Sequence, residues 1–180
     1  MIFKRLILRL YNMLYDNFYK VYDYFTSQKK NVKIFDLLRP NLDGEPSFLQ
    51  LVVVSRLLDI ENYCSGECLD FYYMNEISKN SSGFDRNIAN QNFINLIDSF
   101  KKNGYNPSSR LVVDKDQNLW NGTHRLAMCI YLGINHVNVL ERKRKCDFKM
   151  PVDWLRNQLS TEDFNCILEK YNSIISEHRE

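Results

Sequence analysis

Polar positions near the start of the chain recur at helical spacing. Arg5, Arg9, Asn12, Asp16, Lys20, Asp23 and Ser27 form one stripe, and Leu6, Leu10, Leu14, Phe18, Tyr22 and Phe25 fill the remaining face. The pattern predicts an amphipathic helix over 2–27 with a wide apolar side. Residues 28–46 are polar and broken by Pro40, Gly44 and Pro46, and read as a connector. Ser47 can cap a second helix running to about Tyr63, although Val52-Val53-Val54 inside it also suits a strand. Beyond a turn at Cys64-Ser65-Gly66, the stretch Phe71–Glu76 continues as a helix or an irregular segment. Phe93, Leu96, Ile97 and Phe100 then place a helix over 90–102, ended by Gly104. Leu111–Asp114 is a short buried strand, Lys115–Asn118 a polar hairpin turn, and Leu119-Trp120 the returning strand. Gly122 breaks that strand, and Thr123–Leu132 forms a helix closed by Gly133. His136–Leu140 alternates as a further strand, and Pro151–His178 holds one or two helices.

These elements predict an α/β (α+β) protein, a small mixed-sheet core flanked by N- and C-terminal helices. The divisions fall at 1–63, 64–145 and 146–180. With 180 residues, 44% of them hydrophobic, the chain is long enough for one good core and a helical extension. The wide face of the first helix needs a cover. The core, a second copy of the chain, or a membrane surface met by Lys4, Arg5 and Arg9 would each supply one. Charged residues interrupt every apolar run there, so the segment reads as neither a spanning helix nor a signal peptide.

Charge and cysteine usage narrow the function classes. A formal net charge of +2 is no polyanion-binding signature, which disfavours DNA as a partner. The basic run Arg142-Lys143-Arg144-Lys145 reads as a solvated loop, with an acidic membrane or a polyphosphorylated ligand as the alternatives. Five cysteines without a regular framework fit reduced thiols in a cytoplasm. Cys64 and Cys68 lack a second pair to complete a zinc site, so no metal site is expected. Of two Asn-x-Ser/Thr sequons, at Asn80 and Asn121, the second lies in the loop that carries the candidate chemistry. A glycan there would block it.

That loop is Asn121-Gly122-Thr123-His124-Arg125, between a strand and a helix. The order strand, glycine, helix aims free backbone N–H groups and the positive end of a helix dipole at one point. Gly122 allows close backbone approach, Thr123 offers a hydroxyl, and His124 and Arg125 add donors whose chemistry suits phosphate. The plain alternative is a Thr123 helix cap with His124 and Arg125 at the surface.

The order of elements around this loop resembles the ParB/sulfiredoxin superfamily over about Phe71–Val139. Its most specific part is Leu119-Trp120-Asn121-Gly122-Thr123-His124-Arg125-Leu126-Ala127, followed by Tyr131-Leu132-Gly133-Ile134. It is especially similar to small proteins encoded with bacterial surface-polysaccharide genes, where Asp-Gly-Ser-His-Arg-Leu-Ala occupies this position. The resemblance implies a nucleoside triphosphate, ATP or CTP, with Mg²⁺, and phosphotransfer to a small-molecule or glycan-precursor acceptor. The first alternative, favoured by the amphipathic N-terminal helix, is a non-catalytic nucleotide- or sugar-phosphate-binding module of a membrane-associated glycan complex, in the cytoplasm at the inner face of the membrane. A DNA-associated ParB-like role is the third reading, and no helix-turn-helix pattern follows the core to support it. Sulfiredoxin chemistry needs a cysteine where this chain has Thr123, and a hydroxyl does not replace a thiolate at neutral pH.

Within this reading Asn121, Gly122, Thr123, His124 and Arg125 hold phosphate, and Arg86 is a further candidate, with a surface ion pair to Asp85 as its rival. Phosphotransfer also needs a proton acceptor. His124, Asp114 and Glu61 are the catalytic candidates, with Asp116 and Glu76 also available and Asp116 better suited to a turn.

Overall fold

The computed structural model describes residues 27–39, 44–67, 70–106, 111–145 and 150–177. The amphipathic helix expected over 2–27 lies, but for Ser27, outside the described residues, as does His178.

The fold is mixed α+β: a four-stranded sheet and seven helices among the described residues. Strand β1 (Gln28–Lys33) leads into the short helix α1 (Ile34–Leu38). Helices α2 (Phe48–Ser65), α3 (Tyr72–Ser78) and α4 (Arg86–Asn103) follow. Next come β2 (Leu111–Asp114), β3 (Leu119–Asn121), α5 (Thr123–Tyr131) and β4 (His136–Arg142). Helices α6 (Val152–Gln158) and α7 (Thr161–Glu177) complete the described chain.

The sheet order is β1-β4-β2-β3, with β2 parallel to β4 and the other pairs antiparallel. The segment expected to be a connector therefore supplies an edge strand, paired from Gln28↔Glu141 to Lys33↔His136. Only Val32 of its six residues is buried, so its sequence lacks the alternation that marks a half-buried strand. Polar residues on an edge strand are ordinary, because only one of its sides is paired.

Helix α2 is the centre of the core. Ser47 and Gln50 close a reciprocal capping box at its start, and Gly66 ends it in the left-handed conformation. Those two signals settle the Val-Val-Val ambiguity in favour of a helix. Ten of its residues are buried, on every side, as expected for a helix packed by neighbours all round. It packs against α5 most extensively, and also against α3 and α7. Tyr171 of α7 donates its hydroxyl to the Leu38 carbonyl at 2.8 Å, tying the last helix to the first.

The β2–β3 hairpin and α5 position the loop. Asp114 is 1% exposed and accepts the N–H groups of Asp116 and Asn118, both at 2.9 Å, which closes the hairpin turn. At the other end of β3, Gly122 has φ +109°, and a Cβ there would stand 2.4 Å from Leu111 Cδ2. Only glycine turns this corner without strain or collision. Along α5, Leu126, Ala127, Met128 and Cys129 are all buried, which leaves the helix no room to shift away.

Gly122→Ala should therefore cost about 2–5 kcal/mol, combining the left-handed backbone penalty with overpacking. Gly133→Ala, at φ +66° with nothing within 4 Å of an added methyl, should cost only about 1–2 kcal/mol. Urea titration of the two variants checks the contrast.

Candidate anion site at the start of helix α5

Gly122 is the N-cap of α5 and carries no side chain, so the cap residue itself puts no side-chain acceptor on the first turn. Thr123 is the first helical residue rather than the cap. Its backbone and those of His124 and Arg125 belong to the turn that lacks intrahelical acceptors. Leu126 is the first to donate back, to the Gly122 carbonyl at 2.9 Å. The positive end of α5 starts at the buried Gly122, with Asn121 exposed before it and Thr123, His124 and Arg125 half-buried after it.

His124 is held without charge. Burial depresses its pKa from the ordinary 6.5 to about 3, and the nearby cations Arg56 and then Arg125 push in the same direction. Its ring meets Phe93 of α4 edge-to-face, with centroids 4.7 Å apart. Phe71 lies 4.6 Å beyond Phe93, and Tyr63 5.1 Å beyond Phe71, so a row of rings backs the imidazole. A neutral imidazole between two arginines can accept or donate a hydrogen bond, and an anion close by would favour its protonation.

Arg56 and Asp59 are the residues that reading the sequence missed. Both are on α2, 4% and 2% exposed, three residues apart. Asp59 accepts the N–H of Tyr73 at 2.9 Å and of Met74 at 2.7 Å, which anchors the first turn of α3. Burial raises its pKa to about 6 against the lowering pull of Arg56 and those two bonds. Burial also lowers Arg56 to about 10, which leaves it charged at neutral pH. The signal available in the sequence was an arginine and an aspartate inside the apolar run Leu51–Ile60.

The other candidates are placed elsewhere. Arg86 pairs with Asp70 rather than Asp85, while Asp85 caps α4 through the N–H of Ile88 at 3.1 Å. Asp70 also accepts from Asn75 at 2.6 Å and Asn90 at 3.0 Å. Arg86 and Phe93 share a face of α4, seven residues apart, which puts Arg86 roughly 10 Å along the axis from the ring that touches His124. Asp114 is committed to the hairpin turn. Glu61 accepts from Lys170 at 2.7 Å in the wall of a cavity of about 740 Å³. That cavity also takes in Ile130, Ile134 and His136, beyond the far end of α5 from the loop. Glu76 pairs with Lys79 at 2.5 Å, and Asp116 with Lys145 at 3.1 Å. The guanidinium groups of Arg142 and Arg144 stack on Trp120, at 4.8 and 4.9 Å from the ring centroid. Cys129 is buried in the core, its thiol pushed up to about 12 by burial.

The depressed histidine makes a signed prediction. Between pH 6.5 and about 3 the folded chain holds fewer protons at His124 than the unfolded chain, so His124 lowers stability as pH falls through that window. Asp59 acts oppositely between about 6 and 3.8, because its folded pKa is raised. Comparison with His124→Gln cancels the aspartate. From pH 7 to pH 5 the wild type should lose about 1–2 kcal/mol relative to that variant in urea unfolding. Parallel curves for the two proteins would contradict a neutral, desolvated His124.

No protein-family model matches the chain, and no curated protein matches it. Among solved structures it is similar to the Pnob8-like ParB-N domain in its C2221 form, at 15% sequence identity and a TM-score of 0.35. The match covers 84% of this chain and 47% of that one, so the chain spans about half the length of the solved chain.

Proposed function

We propose that this chain is a phosphate-recognising module whose ligand is a nucleoside triphosphate or a sugar phosphate, bound at the start of α5. The observation that carries the reading is the side-chain-free cap: Gly122, held at φ +109°, opens a helix whose first turn carries Thr123, His124 and Arg125. Helix N-termini of this kind bind anions through backbone N–H groups and the helix dipole together. Thr123 adds a hydroxyl, Arg125 a planar fork of donors, and Asn121 a polar rim. Any Mg²⁺ would arrive with a triphosphate, since that ion is usually held by phosphate oxygens and few protein ligands. The resemblance of Leu119–Ala127 to the ParB/sulfiredoxin superfamily supports a nucleotide over a simple anion. Its likeness to proteins of surface-polysaccharide gene clusters supports a sugar phosphate.

The arrangement supports binding over phosphoryl transfer. Transfer to a hydroxyl needs a carboxylate or imidazole placed to take a proton. Asp114, Asp116, Glu61 and Glu76 are each engaged with another group. His124 is then the one catalytic candidate at the loop, and its depressed pKa makes it a weak base.

A thermal-shift series with ATP, CTP and a nucleotide sugar, with and without Mg²⁺, tests the reading on wild type and Arg125→Ala. A ligand at 100 times its dissociation constant should stabilise the wild type by about 2.7 kcal/mol, and Arg125→Ala should lose most of that gain. Equal shifts in both proteins would move the ligand away from the loop, and no shift in a folded wild type would remove the reading. Turnover of ATP by the wild type, abolished in His124→Ala, would favour the phosphotransferase instead.

A further inference from the structure

Arg56 is 4% exposed at the middle of α2, and its Nε and Nη1 have no hydrogen-bond partner. Asp59 stands 3.9 Å from Nη1, beyond hydrogen-bond range, with its two oxygens taken by the N–H groups of Tyr73 and Met74. A buried guanidinium with idle donors costs stability, and an apolar residue of similar length would remove that cost. Its ion pair with Asp59 accounts for its charge but leaves those donors idle. What it does provide is a fixed, buried positive charge on the helix that packs most extensively against α5. Arg56 lies near enough to His124 to oppose its protonation, as Arg125 does, after the larger effect of burial.

We propose that Arg56 is a recognition residue of the α5 site, a buried cation that draws a terminal phosphate onto the first turn of the helix while Asp59 offsets its charge in the unliganded protein. This inference rests on the reading of that turn as a phosphate site and names the ligand group more narrowly. A terminal phosphate carries more charge than a phosphodiester, and its oxygens can accept several donors at once. In the low-dielectric interior a charge acts at longer range than at the surface, so Arg56 contributes without lying at the rim.

The test is calorimetric titration with sodium tripolyphosphate of the wild type, Arg125→Ala, Arg56→Lys and the double variant Arg56→Met with Asp59→Asn. The double variant should bind about 10- to 100-fold more weakly than wild type while still unfolding cooperatively in urea. Arg56→Lys keeps the charge and should stay clearly tighter than the double variant. By proton–carbon NMR, His124 should titrate at higher pH in the double variant and near its wild-type position in Arg56→Lys. Should the double variant fail to fold, Arg56→Gln replaces it, and the neutral side chain should bind more weakly than lysine. Wild-type affinity in the neutral variant, or an unmoved His124 titration, would overturn the role of Arg56. A wild type that binds tripolyphosphate, weakened by Arg125→Ala but not by neutral Arg56 variants, removes this inference alone. A wild type that does not bind it removes the phosphate site as well.

Discussion

No side chain fits between Leu111 and the first turn of α5. A Cβ at Gly122 would stand 2.4 Å from Leu111 Cδ2, and the backbone there sits at φ +109°. This one constraint orders much of what surrounds it. It lets β3 turn directly into α5 while the β2–β3 pair stays closed. It also removes the side chain that would otherwise cap the helix, and so leaves first-turn N–H groups for something else. Because Leu126–Cys129, the middle of the helix, are buried, sliding α5 outward to relax the corner would disturb packed core.

The second feature is paid for in stability. Arg56 and Asp59 sit inside α2, and burial outweighs their mutual attraction in both: the aspartate is pushed up to about 6 and the arginine down to about 10. Asp59 recovers part of that cost through two backbone bonds that start α3. Arg56 recovers less, since two of its nitrogens are idle. A polar pair of this kind in the central helix of the fold makes energetic sense if its field is used, and beyond the pair itself His124 is a group that feels it. The same field, together with desolvation, keeps that imidazole neutral.

Much of the fold could be read before any coordinates, for identifiable reasons. Helix α4, strands β2–β4 and helix α5 announce themselves by apolar spacing and by Gly104, Gly122 and Gly133 at their boundaries. The start of α4 comes four residues earlier than its apolar pattern, because Asp85 caps a first turn that buries nothing. Strand β1 was hidden because an edge strand with one buried residue carries no alternation. The loop at Asn121–Arg125 was legible as a unit, since its parts are contiguous. Its surroundings were not. Asp70 rather than Asp85 meets Arg86 across a gap of 16 residues, and Asp114, two strands' worth of turn away from the loop, serves its own hairpin. Arg56 and Asp59 have no partner legible in the sequence, because Asp59 meets Tyr73 and Met74 of α3 only through the packing of the two helices.

The central question is whether an anion sits on the first turn of α5. Amide proton–nitrogen NMR during titration with sodium tripolyphosphate measures this directly. The resonances of Thr123, His124 and Arg125 should move most, with downfield amide protons as N–H groups take a phosphate acceptor. Largest shifts around the cavity of Glu61 and Lys170, or along the Arg142–Lys145 run, with the α5 amides unmoved, would contradict an anion site there.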